Sequence, residues 1–185
     1  MCGMRHPYTP PAKCIVVDCP WKFGDTLPGP KRGASKHYDV MTVEELCAFK
    51  LPPIDQRAIM FFWRVASMQD EALRVINAWG FQVKSELVWN KTTKHGKRQF
   101  GMGRYVRMEH EVCLIAVNDG TYPVNDKAIR STFAAPVGRH SVKPDEFFEI
   151  VERLVGDVPR VELFARKRRP GWTCYGNELT GETNV

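Results

Sequence analysis

Apolar residues in this chain fall in short continuous runs, each ended by a polar or turn-forming residue and separated by stretches of helical period. Cys14-Ile-Val-Val-Asp18 is an apolar run closed by an acid, the pattern of a parallel strand buried on both faces. A loop rich in Pro, Gly and Lys follows, from Cys19 to Met41. Thr42-Val-Glu-Glu45 reads as a capping box, with Thr42 as N-cap and Glu45 three residues on, and opens a short helix. Residues 58–63 (AIMFFW) form a second strand. Ser67 is expected to cap a helix running through Trp79, with Gly80 as its stop. Residues 81–89 form a third strand and residues 111–117 a fourth. Beyond a turn rich in Gly, Asp and Asn, Pro144 fits the first turn of a helix that carries Phe147, Phe148, Ile150, Val151 and Leu154. Gly156 closes that helix, and residues 160–164 form a fifth strand. This alternation predicts an α/β domain whose mostly parallel sheet is covered by helices. Ligands of such sheets lie at the carboxyl ends of the strands, which singles out Asp18-Cys19-Pro20-Trp21 and Phe164-Ala165-Arg166.

The 185 residues suffice for one domain with one core, expected over residues 14–179, between a flexible segment 1–13 and a tail 180–185. A hydrophobic share of 43% with 11% aromatics argues against disorder. No apolar run approaches the ~20 residues that cross a bilayer, and the polar, Pro-rich N-terminus lacks the apolar core of a secretory signal, so no membrane is expected. The six cysteines show no C-x-x-C and read as reduced thiols of an intracellular protein. The five histidines have no carboxylate or thiol at ligand spacing, so no metal site is expected. Lys and Arg number 27 against 21 Asp and Glu; the net charge of +6 permits a polyanionic partner without proving one.

The basic residues are not evenly spread. Lys91, Lys94, Lys97, Arg98, Arg104 and Arg107 fall between two predicted strands with no acid from Lys91 to Met108, and Gly96, Gly101 and Gly103 suggest mobility there. From charge alone a solvated loop is as good a reading as a phosphate-binding one. Its place just before Glu111, where a substrate would enter, tips the balance toward phosphate contact. Arg166-Lys-Arg-Arg169 is a second basic cluster, a solvated turn or a contact at the pocket rim.

Asp18-Cys19-Pro20-Trp21 is the sharpest feature. A lone Asp after a strand is commonly a cap, and a lone Trp is commonly core. One chemistry, however, needs all of them together. The amino group of adenine is a poor nucleophile, because its lone pair is delocalised into the ring. A carboxylate and a main-chain carbonyl accepting its two N–H bonds pull that nitrogen toward tetrahedral geometry and hold it in line with an electrophile. A nearby aromatic stacks on the extruded base.

Several short motifs in order support this. Asp18-Cys-Pro-Trp21, Tyr38 in YDVMTVEEL, Trp63 closing FFW, Trp79-Gly80-Phe81, Glu111 two residues before Cys-Leu, Lys143-Pro-Asp-Glu146, and Glu162-Leu-Phe-Ala-Arg166 followed by Trp172 and Tyr175-Gly-Asn177 resemble the MT-A seventy type family of N6-adenine methyltransferases, over residues 14–179. The resemblance implies a Rossmann-like, permuted methyltransferase fold, with the catalytic strand ahead of the cofactor strand and one antiparallel strand in the sheet. It implies S-adenosyl-L-methionine as cofactor. Asp18, with Cys19, Pro20 and Trp21, would form the catalytic motif, Asp18 gripping the amino group and Cys19 or Pro20 giving the carbonyl. Asp18, Lys143, Phe164, Arg166, Asn177 and Glu178 would surround the cofactor. Trp21 and Tyr38 would wall the base pocket, with Glu111 near the base and Lys91, Lys94, Lys97, Arg98, Arg104 and Arg107 on the polymer. The expected partner is nucleic acid, DNA favoured over RNA, acted on by a monomer or dimer in the cytoplasm of a bacterium or a phage-infected cell. A silent nucleic-acid-binding subunit and a cytosine N4-methyltransferase are the competing readings. Cys19 in place of the family's first Pro, Val142 in place of His, Arg168-Arg169 in place of His-Asn, Glu178 in place of Gln and only 17 residues ahead of Asp18 depart from the pattern.

Overall fold

A computed structural model describes residues 10–22, 40–101, 103, 105–138, 142–177 and 179. Tyr38, Arg104, Glu178, the tail 180–185 and most of the segment 1–13 lie outside the described residues.

Seven strands form one sheet in the order β5-β3-β4-β2-β1-β6-β7. They are β1 (Ala12–Asp18), β2 (Ile54–Arg64), β3 (Gln82–Thr92), β4 (His110–Val117), β5 (Thr132–Pro136), β6 (Arg160–Leu163) and β7 (Thr173–Tyr175). β1 pairs in parallel with β2 and β6, β6 with β7, and β3 with β5. β4 is antiparallel to both β2 and β3. Six strands therefore run one way and β4 alone runs against them. The sheet is mixed, with the single reversed strand that the resemblance implied.

The continuous apolar runs follow from burial on both faces. On β1, Ile15 and Val17 join Met60 and Phe62 of β2 under α1 (Val43–Cys47) and α2 (Gln69–Ala78), whose Leu46, Ala72, Val75 and Ile76 complete that core. Cys14 and Val16 join Phe61 and Trp63 on the other face, under Phe147, Phe148, Val151 and Leu154 of α3 (Asp145–Val155). The capping box is present: the Thr42 hydroxyl accepts from the Glu45 N–H (3.2 Å), and the Glu45 carboxylate accepts from the Thr42 N–H (2.7 Å).

Two other helix starts differ from expectation. Ser67 does not cap α2; it sits inside a 3-10 turn over Ala66–Met68, and Met68 is the N-cap with no side-chain hydrogen bond. Asp70 and Glu71 in the first turn supply the charge that a helix N-terminus favours. Pro144 lies one position earlier than expected, at the N-cap of α3 in extended conformation, with Asp145 and Glu146 in the first turn. Gly80 and Gly156 do end their helices, both at positive φ.

From β1 the chain passes through α1 to β2 on one side, and much later returns as β6 on the other side of β1. Such a reversal of direction opens a crevice beyond the carboxyl ends of the two strands. Here those ends carry Asp18 and Phe164–Arg166. Because β4 runs backwards, its first residues, with Glu111, lie at the same edge as the last residues of β1, β2 and β3.

Candidate active site

Register decides which side chains meet at this edge. Asp18 is paired with Trp63, Trp63 with Cys113, and Trp89 with Glu111, so Asp18, Trp63, Glu111 and Trp89 all point to the α3 face. Lys143, just ahead of α3, reaches into them. Its ammonium donates to Asp18 Oδ2 at 2.9 Å, lies 3.3 Å from Glu111 Oε2, and stands 5.2 Å from the centre of the Trp63 ring. Lys91, near the end of β3, holds the other oxygen of Glu111 at 2.7 Å and lies over the Trp89 ring. The result is a chain of alternating charge, Asp18–Lys143–Glu111–Lys91, lying on two buried indoles.

Burial would drive these groups toward their neutral forms, but the partners outweigh it. For Glu111, burial raises the carboxyl, yet the Lys143 charge and the Lys91 hydrogen bond hold it below the ordinary glutamate range. For Lys143, burial lowers the ammonium, yet Asp18 and Glu111 carry it above the ordinary lysine value. Both are therefore charged at neutral pH. Cys19 is different: it packs with the α1/α2-side core, and burial, with Asp18 beside it, pushes its thiol far up. It stays a protonated small hydrophobe and is no nucleophile.

The motif's two main-chain carbonyls both accept inside the fold, Cys19 O from the Trp21 N–H (3.0 Å) and Pro20 O from the Met41 N–H (2.8 Å). Each keeps a second lone pair. Trp21 is buried, edge-on to Phe62 at 6.0 Å in the α1/α2-side core. The structure thus does not bring its ring to the cluster around Asp18.

Beyond β6, Phe164 adopts φ 59°, and the Ala165 N–H donates to Tyr175 O at 2.8 Å. A Cβ at Gly176 would collide with the Ala165 backbone, so the two strand ends close together only with glycine there. Arg166 is half-buried and Asn177 exposed in the adjoining turns. Lys167 and Arg169 both donate to Asp145 Oδ1, at 2.7 and 2.9 Å, tying this turn to the start of α3, and the Arg169 guanidinium sits 3.5 Å above the Phe148 ring.

Sequence reasoning missed one carboxylate at this rim. Glu162 of β6 is paired with Val16 and half-buried, on the same face as Asp18. Desolvation pushes its pKa up to about 7, with Arg169 opposing and Asp18 adding to the rise. The signal was present in the sequence: an acid at the inward period of a short apolar strand.

The basic residues separate into two groups. Lys91 belongs to the half-buried cluster around Asp18. Lys94, Lys97, Arg98 and Arg107 are exposed on an excursion between β3 and β4. Main-chain hydrogen bonds shape it: Thr93 with Lys97, Gln99 with Lys91, and Gly101 with Met108.

A model of the MT-A70 family matches residues 12–178. Over 171 residues, 90% of this chain, the sequence is 26% identical to the N(6)-adenosine-methyltransferase catalytic subunit METTL3 of Homo sapiens and 27% identical to an N(6)-adenosine-methyltransferase MT-A70-like protein of Drosophila melanogaster. These alignments take in 28% and 27% of those proteins, so the chain spans about a quarter of their length. It is 26% identical to the type II methyltransferase M.MunI of a Mycoplasma species over 185 residues, 89% of this chain and 76% of that protein. With the matched region running from the first residue of β1 to beyond β7, the chain belongs to the MT-A70 family.

Proposed function

We propose that this chain transfers a methyl group from S-adenosyl-L-methionine to the N6 amino group of adenine in nucleic acid, with DNA as the favoured polymer. The observation that carries the reading is the Asp18 carboxylate at the sheet's crevice, fixed by the half-buried Lys143, next to a turn that offers main-chain carbonyls. Lys143 uses Oδ2 of Asp18, and a carboxylate has about four acceptor sites, so Asp18 can take an amino N–H while the ion pair persists. A carbonyl of Cys19 or Pro20 takes the second N–H. Together they hold the nitrogen lone pair toward the methyl group and orient it for in-line attack. The similarity to the type II methyltransferase M.MunI, over 76% of that protein, supports the methyltransferase reading.

The rim suits the cofactor. Asp18 and Glu162 are half-buried carboxylates on neighbouring strands, and Glu162 is desolvated enough to resist ionisation. A cationic ligand carrying an ammonium group and hydroxyls relieves that burial with donors and positive charge. Asp18, Glu162, the Phe164–Arg166 turn and Asn177 would hold it. When bound, S-adenosyl-L-methionine supplies an electrophilic methyl on a sulfonium. Lys143 holds Asp18 in place through the 2.9 Å hydrogen bond. Glu111, gripped by two lysines, anchors Lys143 and shapes the base side of the crevice.

The test is methyl transfer from labelled cofactor to single- and double-stranded DNA and RNA, with nucleosides identified after digestion. The expected product is N6-methyladenine, most abundant on DNA, reduced at least about 100-fold in Asp18→Ala, as when one preorganised polar contact to the reacting group is lost. Methylation undiminished in Asp18→Ala, or label found on cytosine, overturns the reading.

A further inference from the structure

The excursion between β3 and β4 ends in an apolar tip that the chemistry at Asp18 does not use. Five large hydrophobic side chains are exposed among the described residues, and three of them cluster here: Phe100 (60%), Tyr105 (90%) and Val106 (66%). Both exposed aromatics of that set are in this tip. Exposed apolar residues scattered singly need no explanation, but a cluster marks a binding surface.

The tip is built. The Gly101 N–H donates to Met108 O at 2.8 Å, closing the base of a tight loop. A Cβ at Gly103 would run into the Val106 carbonyl, so this position needs glycine, and Tyr105 nearby is exposed. Lys94, Lys97, Arg98 and Arg107 of the same excursion are exposed, and the sequence has no acid between Lys91 and Met108. The root of the excursion is Lys91 and Glu111, members of the Asp18 cluster. The tip therefore hangs from the edge where the reacting base would sit.

An apolar protein partner would be met by rings in a neutral or mixed-charge surround. Rings interleaved with an excess of exposed positive charge fit a polyanion that offers flat apolar faces, which is single-stranded nucleic acid. Paired bases already stack on their neighbours and leave no face for a side chain; unpaired ones do. We propose that Phe100 and Tyr105 form a stacking platform for unpaired bases flanking the target nucleotide, with Lys94, Lys97 and Arg98 on their phosphates. This rests on the reading that the chain acts on nucleic acid. It adds that the strand is opened beyond the reacting base.

The experiment measures binding of the full chain to three fluorescent oligonucleotides of equal length: a single strand, the same strand as a duplex, and an abasic strand with the same phosphates. Wild type is expected to prefer the base-bearing single strand. Phe100→Ala with Tyr105→Ala lowers that affinity roughly 10-fold or more and leaves the abasic strand within about twofold. Lys94→Gln, Lys97→Gln and Arg98→Gln together weaken all three. Because these side chains are exposed, both variants should fold as wild type, which circular dichroism checks. An aromatic variant that still discriminates base-bearing from abasic strands as wild type does overturns the platform alone. So does a variant that changes only from dimer to monomer in sedimentation, which reassigns the tip to a second copy of the chain. Wild type that binds no strand overturns the platform and the nucleic-acid reading beneath it.

Discussion

The sheet edge and the excursion beyond it carry charge in opposite ways. At the edge, Asp18, Lys143, Glu111 and Lys91 are largely withdrawn from water, alternate in sign and fix one another at 2.7–3.3 Å. On the excursion the backbone is held by hydrogen bonds, while the Lys94, Lys97 and Arg98 side chains are exposed, Arg98 standing 3.8 Å from Glu109. Chemistry on a single nitrogen needs acceptors held to a fraction of an ångström, and a packed sheet supplies that. Contact with a flexible polymer needs reach and adaptable charge, and a projecting loop supplies that. Positive residues near one another in sequence therefore stand in different settings according to which side of Thr92 they fall.

The change expected to do most harm strikes the edge. Lys143→Met removes the cation between Asp18 and Glu111 and leaves two half-buried carboxylates facing each other. Breaking a buried pair costs about 3–5 kcal/mol; with Glu111 a third exposed, a loss of about 2–4 kcal/mol is expected in urea unfolding at pH 7. The sign with pH follows from the shifts. Glu111 is depressed in the folded state, so its share is present above the ordinary glutamate range and lost as pH falls through its lowered value. The gap between wild type and variant should narrow in acid. A constant gap down to pH 3 would mean that Lys143 contributes by packing on Trp63 and not by charge.

Glu162 gives a smaller effect of opposite sign. Its neighbours are Arg169, Asp18, Lys167, Asp145 and the Cys174 thiol, and burial dominates them, raising it from 4.5 to about 7. The folded state thus keeps a proton that the unfolded chain has lost. Stability from this group is full below pH 4.5 and lost as pH rises through about 7. Glu162→Gln should unfold at the same temperature as wild type at pH 4. At pH 8 it should be more stable, by on the order of 1–2 kcal/mol after allowing for solvent screening. A variant less stable at pH 8 would show that the carboxylate is satisfied as an ion, and would remove desolvation as the reason a cationic ligand is welcome there.

The contrast between Asp18 and Glu162 also marks what the sequence can disclose. Asp18 was legible because it ends an apolar run and begins a turn with Pro20. The two-face burial of β1 and β2, the Thr42–Glu45 box and the glycine stops were legible for the same reason: each is a local pattern. Edge strands β5 and β7 were not, since three to five residues with a Pro or partial exposure carry no period to read. Nor was the split among the basic residues. Nothing in the order Lys91, Lys94, Lys97 shows that the first faces Glu111 across the antiparallel pair β3–β4. That needs the register Trp89–Glu111, which exists only once the sheet is assembled. Trp21 illustrates the converse, a motif residue whose ring is claimed by the core.

The smallest effects on stability should fall on the excursion, and there the comparison is sharpest. Lys94→Gln, Lys97→Gln and Arg98→Gln should each leave unfolding within about 0.5 kcal/mol of wild type, because nothing buried depends on them. Each contacted phosphate lost should flatten the dependence of log affinity on log salt by roughly 0.7–0.9. Lys91→Gln should do the reverse. Its ammonium is committed to Glu111 at 2.7 Å, so stability falls while the salt slope stays near wild type. If Lys91→Gln flattened the slope as much as Lys97→Gln, the ion pair with Glu111 would have to open on binding. The two regions would then be one continuous phosphate track, with no division at Thr92 between a rigid site and an adaptable arm.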